Sequence, residues 1–261
     1  MMGQDKSKTE APMAVNFRDR LKIGSPPLGT LLSLPSPEIA EIAAEAGFDW
    51  LFLDMEHGLL DPAAVQRMIQ AAAGRVPCIV RIPSHEAIAV SKALDTGADG
   101  LIFPHVNSAA EARECVRAAQ YPPEGSRSVG IARAQAYGAR LAEAVAGENK
   151  RLTLIAQIEH IRAVRNIEEI LETAGLDAVF IGPYDLSGSL GLPGLVNDAS
   201  VMAAIEIVRT AARKFGLPAG IFAGGIEAAR AALDKGFDFV CVSTDTLLLA
   251  DAARRTLEVL R

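Results

Sequence analysis

DWLFLDMEHGLLDPAAVQRMIQAAAGRVPCIVRIP, residues 49–83, holds two short apolar runs separated by an amphipathic segment that closes on glycine. DWLFLDM (Asp49 to Met55) and CIVRIP (Cys78 to Pro83) are near-continuous in aliphatic and aromatic residues, as strands are when both faces are covered. DPAAVQRMIQAAAG reads as the helix between them, its glycine supplying a left-handed C-cap.

The same alternation runs outward in both directions. Strand-like runs recur at GTLLSL (Gly29 to Leu34), GLIFPHV (Gly100 to Val106), LTLIAQIE (Leu152 to Glu159), LDAVFIGP (Leu176 to Pro183), PAGIFAG (Pro218 to Gly224) and FDFVCVS (Phe237 to Ser243). Helical segments follow each of them, from SPEIAEIAAEAG to the closing TLLLADAARRTLEVLR. Eight βα units without a break in composition predict one α/β domain, a parallel (β/α)8 TIM barrel over residues 16–261, with an open doubly wound sheet as the alternative. Residues 1–15, MMGQDKSKTEAPMAV, are polar and read as a flexible N-terminal arm. YPPEGSRSVGIARAQAYG (Tyr121 to Gly138) is the long irregular stretch, of a length that often carries function.

Composition narrows the function. The 261 residues are 50% hydrophobic and 22% charged, with a net charge of −6. A nucleic-acid or anionic-membrane partner needs a basic face, so the composition disfavours both. The first residues lack a signal-peptide core, and no apolar run is long enough to span a bilayer. Cys78, Cys115 and Cys241 are isolated and without CxxC spacing, which fits a reducing, cytoplasmic setting.

In such barrels active sites lie at the C-terminal ends of the strands, so unexpected polar residues there are candidates. The second strand ends in Asp54, Glu56 and His57, the third in Arg81, the fifth in Gln157 and Glu159, and the sixth in Gly182, Pro183, Tyr184 and Asp185. Glu159 and Asp185 follow neighbouring strands and could share a cation. All-oxygen ligation with open positions suits Mg2+ or Mn2+, with Co2+ as a further option, better than zinc. Equally, Glu159 could cap the next helix or pair with Arg162, and Asp185 could cap its own helix. Asp54 and His57 sit where an acid orients an imidazole that serves as general base, against a plain surface histidine. Of the other histidines, His105 lies closest to the mouth. Arg81 ends an apolar run and could hold a carboxylate or enolate oxygen in a two-pronged hydrogen bond, or pair with Asp54 or Glu56 on the preceding strand.

FDWLFLDMEHG, CIVRIPSHE, ALDTGADGLIFPHVNSAAEARECVRAAQYPPEGSRSVG, IAQIE and VFIGPYDLSGSLG, in this order, resemble the HpcH/HpaI aldolases, metal-dependent class II pyruvate aldolases. The resemblance runs from about Gly29 to the end of the chain. It implies that Glu159 and Asp185 are the ligands of a divalent cation, that Asp54 and His57 transfer protons, and that Arg81 contacts the pyruvyl group and stabilises its enolate. Gln157 and Gly182 to Tyr184 then line the pyruvate pocket, with Tyr184 standing where relatives commonly carry alanine. Asp95 is implied to serve a neighbouring subunit's site in a homo-oligomer, a hexamer with exchanged C-terminal helices.

The implied reaction is reversible cleavage of a 4-hydroxy-2-oxo acid to pyruvate and an aldehyde through the enolate of pyruvate. No lysine ends a barrel strand, which argues against Schiff-base chemistry. Another lyase working through the same enolate, a 2-oxo acid decarboxylase or acyl-CoA lyase, remains the alternative, as does a non-catalytic metal-binding relative. A non-catalytic relative is expected to lose His57 or Arg81, and both are present.

Overall fold

The computed structural model describes residues 16–261, so the proposed arm at 1–15 lies outside the described residues. Eight strands, β1 (Leu28–Leu32), β2 (Trp50–Asp54), β3 (Cys78–Arg81), β4 (Gly100–Phe103), β5 (Thr153–Ile158), β6 (Ala178–Ile181), β7 (Ala219–Ala223) and β8 (Phe239–Thr244), pair in parallel with their neighbours. β8 returns to β1 and closes the barrel predicted from the sequence.

Helices α1 (Phe17–Arg20), α2 (Pro37–Glu45), α3 (Pro62–Ala72), α4 (Ala87–Asp95), α5 (Ala109–Ala119) and α6 (Leu141–Arg151) belong to the first half. The second half adds α7 (Ile161–Arg165), α8 (Ile167–Leu171), α9 (Pro183–Ser189), α10 (Ala199–Phe215), α11 (Ile226–Asp234) and α12 (Asp245–Leu260). Local chemistry fixes their starts: the side chains of Ser36, Asp61 and Ser108 accept hydrogen bonds from the backbone N–H three residues on, satisfying donors the helix leaves free. None of these helices is long and apolar enough to cross a membrane, among the described residues.

Alternation along each strand sorts the side chains. On β2, Leu51 and Leu53 face the helices, whereas Trp50, Phe52 and Asp54 face inward. The inner residues thus run aromatic, aromatic, acidic toward the mouth. Gly29 and Gly220 are glycine because a Cβ there would collide with the Trp50 indole and the Phe239 ring. Phe17 of α1 plugs the far end, its ring 5.1 Å from Trp50 and 5.7 Å from Phe239. The floor under the mouth is therefore a packed aromatic core that gives way little.

One element departs from the sequence reading. Part of the long stretch from Tyr121 winds into a 3-10 turn, Arg133–Gly138, and α6 follows it as a helix the alternation did not reveal. The stretch packs at the N-terminal end of the barrel, where the Arg127 guanidinium lies 4.6 Å over the Tyr121 ring and Arg133 donates to the Thr96 carbonyl. The eighth helix, α12, does not pack along its own barrel: from Thr246 to Arg261 every residue but Ala250 is exposed. It is tied down at its start, where Asp245 accepts from the Ser33 and Leu34 N–H groups at 2.9 Å each.

Candidate active site

The inward positions one step above the aromatic floor bear the polar residues. Register places Asp54 directly beside Arg81 across the β2–β3 pair. Arg81 Nε donates to Asp54 Oδ1 at 2.8 Å and Nη2 donates to Oδ2 at 2.7 Å, a two-pronged pair with both residues buried. Glu56 Oε2 lies 3.1 Å from Arg81 Nε, and the Phe52 ring lies beneath the guanidinium at 5.2 Å. Burial pulls the Arg81 pKa down, but the hydrogen bonds and charge of Asp54, with Glu56 and Glu159 beyond, more than offset this and hold it above its ordinary value. The guanidinium is a fixed positive charge, clamped in place with no side-chain freedom left to lose.

Of the two partners the sequence left open for Asp54, the structure shows Arg81 and not the His57 imidazole. Asp54 Oδ1 also accepts from the backbone N–H groups of Glu56 and His57, at 3.0 and 3.3 Å. That bond shapes the turn after β2 and leaves the His57 side chain 65% exposed at the mouth, its Nε2 3.8 Å from Glu56 Oε2.

Glu159 is 3% exposed and does not cap α7, a task taken by His160, whose Nδ1 accepts from Arg162 N–H at 3.0 Å. Its carboxylate turns into the mouth, where Oε1 accepts from His105 N–H at 2.7 Å and Oε2 accepts from the Gln157 amide. Burial pushes the Glu159 carboxyl above the ordinary range, against the lowering effect of the hydrogen bond and charge of His105. Gly182 permits the approach of β6, since a Cβ there would sit 3.2 Å from Glu159 Oε2 and from the Gln157 amide nitrogen. Gly182 is also the N-cap of α9, so Asp185 stands in the first turn rather than at the cap.

His105 enters this network more fully than the sequence suggested. Its backbone is left-handed, with φ of 54°, and its ring bridges two carboxylates, Nδ1 3.0 Å from Glu159 Oε1 and Nε2 2.9 Å from Glu56 Oε1. The FPHV motif marked the position, but nothing in it signalled the bridge.

These residues enclose a chamber of about 160 Å3 lined by His57, Arg81, Gln157, Gly182, Tyr184 and Asp185 over a floor of Leu31, Phe52 and Phe180. Pro183 completes the wall. Larger hollows exist elsewhere, one of about 790 Å3 beside Pro122 and Pro123 and a charged one of about 250 Å3 lined by Arg140, Glu143, Glu148 and Arg151, but the small chamber is the one at the C-terminal ends of the strands. Asp95 is not among them: it ends α4 at the opposite end of the barrel and pairs with Arg127 at 3.1 Å.

The donors fit a hard divalent cation. Glu159 is a desolvated carboxylate beside Gly182 at the edge of the chamber, Asp185 lines the chamber as a second carboxylate, and Gln157 Oε1 is buried without a hydrogen-bond partner. Among the described residues no three His, Cys, Asp or Glu side chains group as a closed metal cage. A cation here would thus take two carboxylates from the chain and complete its shell with water and substrate oxygens.

A parallel (β/α)8 barrel whose mouth sets a clamped guanidinium and an exposed imidazole beside buried carboxylates is suited to holding a small anion and stabilising charge that develops on it. Comparison with known proteins makes this specific. Residues 28–252 match the model of the HpcH/HpaI aldolase/citrate lyase family. The chain is 41% identical to a hydroxypyruvate/pyruvate aldolase of Paraburkholderia phytofirmans, over 94% of this chain and 97% of that protein. It is 39% identical to a 4-hydroxy-2-oxo-heptane-1,7-dioate aldolase of Escherichia coli, over 92% and 93%. A crystal structure of an HpcH/HpaI aldolase/citrate lyase family protein from Burkholderia cenocepacia superposes with a TM-score of 0.91 at 36% identity, covering 95% of this chain and all of that one. The chain belongs to the HpcH/HpaI aldolase/citrate lyase family and is an aldolase, a carbon–carbon lyase.

Proposed function

We propose that the protein cleaves 4-hydroxy-2-oxo acids, reversibly, to pyruvate and an aldehyde, with Glu159 and Asp185 holding a divalent cation, Mg2+ or Mn2+. The observation that carries this reading is the clamped Arg81 facing the same small chamber as Asp185 and Gln157, with Glu159 against it. When bound, the cation supplies Lewis acidity toward the carboxylate and keto oxygens of the 2-oxo acid.

The chain's own groups do the rest. Arg81 presents a guanidinium whose position is fixed before substrate arrives, so it stabilises the enolate oxygen without reorganising. His57, exposed at the mouth, removes the proton from the C4 hydroxyl, directly or through a water, as the C3–C4 bond breaks. The bonding electrons pass into C2–C3 as the enolate forms and the aldehyde leaves, and return of the proton to C3, through His57 or water, gives the methyl group of pyruvate. Gln157 and the Gly182 to Tyr184 backbone shape the pyruvate end, and the apolar floor keeps bulk water off the enolate.

The working form is a homo-oligomer, a hexamer in this reading, acting in the cytoplasm. The exposed apolar side chains of α12, with Leu249 at 64% and Leu260 at 76%, support exchange of this helix between subunits. In such an assembly Asp95, remote from its own chamber, faces a neighbour's. The reading is tested by exchange of pyruvate methyl protons with deuterated solvent in the presence of Mn2+ or Mg2+ and no aldehyde: exchange above the metal-only rate supports it, and none refutes enolate formation.

A further inference from the structure

Tyr184 stands between two hollows. On one side is the 160 Å3 chamber with His57, Arg81 and Asp185. On the other is an apolar cleft of about 350 Å3 between α10 and α11, lined by Met202, Ile205, Ala228 and Phe237. Tyr184 and Phe222 line both, and their rings meet edge to face with centroids 6.3 Å apart. The phenol oxygen lies 3.2 Å from where a Cβ on Gly224 would stand, so the glycine is what lets the ring lie across the gap.

Space on the chemical side is short. The chamber has less than half the space of the apolar cleft, about 160 against 350 Å3, and pyruvate occupies part of it. A lengthening aldehyde chain therefore runs toward the wall that Tyr184 and Phe222 share with the cleft. We infer that Tyr184 sets the acceptor range of this enzyme: it confines the aldehyde to short chains, or to chains with a polar tail left in water, by closing the way to the apolar cleft. The inference rests on the aldolase reading above and goes beyond it by naming the residue that limits chain length and the class of aldehyde admitted.

The test is aldol addition of pyruvate to straight-chain aldehydes from acetaldehyde to hexanal, comparing kcat/KM across the series for wild type, Tyr184→Ala and Tyr184→Phe with Mn2+ present. Wild type and Tyr184→Phe, which keeps the ring, are expected to lose efficiency as the chain grows. Tyr184→Ala opens the partition, and each methylene carried into the cleft is expected to raise the long-to-short ratio by about fourfold. Tyr184→Val tests the same opening should the alanine variant fail to fold. Parallel chain-length profiles in wild type and the opened variants overturn the inference, as does a wild type that favours hexanal. Proton exchange of pyruvate in wild type separates the two levels: its absence defeats the aldolase reading, whereas exchange with unchanged profiles defeats the partition alone.

Discussion

Replacing Asp54 by asparagine removes one charge from an ion pair that is almost entirely out of water, with Asp54 at 1% and Arg81 at 7% exposure. The amide keeps the volume and one acceptor, but Arg81 loses its two-pronged carboxylate and is left with Glu56 at 3.1 Å. Breaking a buried pair from one side costs about 3 to 5 kcal/mol, because the remaining charge stays desolvated. Glu56 and the amide carbonyl compensate in part, which places Asp54→Asn near 3 kcal/mol. For a chain of this size that corresponds to a fall in Tm of about 6 to 12 °C. Urea unfolding and calorimetry, both on metal-free protein, measure it. The double variant Asp54→Asn with Arg81→Met should lose less than the sum of the single losses, with a coupling of about 1 to 3 kcal/mol. A loss within about 0.5 kcal/mol for Asp54→Asn, accompanied by abolished activity, would contradict the clamp and return Asp54 to a role in proton transfer beside His57.

Glu159→Gln and Asp185→Asn are each expected to abolish cation-dependent turnover and weaken Mn2+ binding in titration calorimetry, and retained turnover in both would exclude them as ligands. Burial raises the Glu159 pKa, so in metal-free protein its contribution to stability is full below the ordinary carboxylate range and is lost as pH rises through the raised value. Metal-free Glu159→Gln should therefore melt at or above the wild-type temperature at pH 7, and a clearly lower melting point would refute the burial argument. Arg81→Lys keeps the charge but not the planar fork, so turnover and pyruvate proton exchange should fall together by about two orders of magnitude or more; unchanged exchange would mean Arg81 touches no enolate. Burial pushes the Cys115 thiol up to about 12 and raises Cys78 and Cys241 as well, so none of the three should react with a thiol reagent at pH 8 until the chain unfolds. Light scattering at micromolar concentration should give the hexamer, and an active monomer would refute helix exchange and any role for Asp95 across an interface.

What the sequence revealed and what it hid have physical causes. The order of strands and helices was legible because parallel strands covered on both faces are apolar throughout, and glycine marks the helix ends. The same uniformity hid the faces: nothing in WLFLD says that Trp50 and Phe52 point inward while Leu51 and Leu53 point to helices, since all four are apolar. Helix α6 was missed because it has almost no apolar stripe, its one buried side chain being Glu148, paired with Arg151 at 2.8 Å. The strand-end positions of Arg81, Gln157, Glu159 and Asp185 were readable, because polar residues are conspicuous where apolar runs stop. Their partners were readable only as alternatives. Asp54 could serve His57, three residues on, or Arg81 on the next strand, and strand register sets it against Arg81, 27 residues away. The bridging ring of His105 depends on a left-handed backbone that its sequence neighbourhood does not advertise.

Pyruvate release from a racemic 4-hydroxy-2-oxo acid, followed with Mn2+ or Mg2+ and again after EDTA, tests the central claim most directly. The account predicts release with the metal, loss of release with the chelator and recovery when the metal is restored. Metal-replete, folded protein that releases no pyruvate across a range of such acids, or release that EDTA leaves untouched, would contradict it.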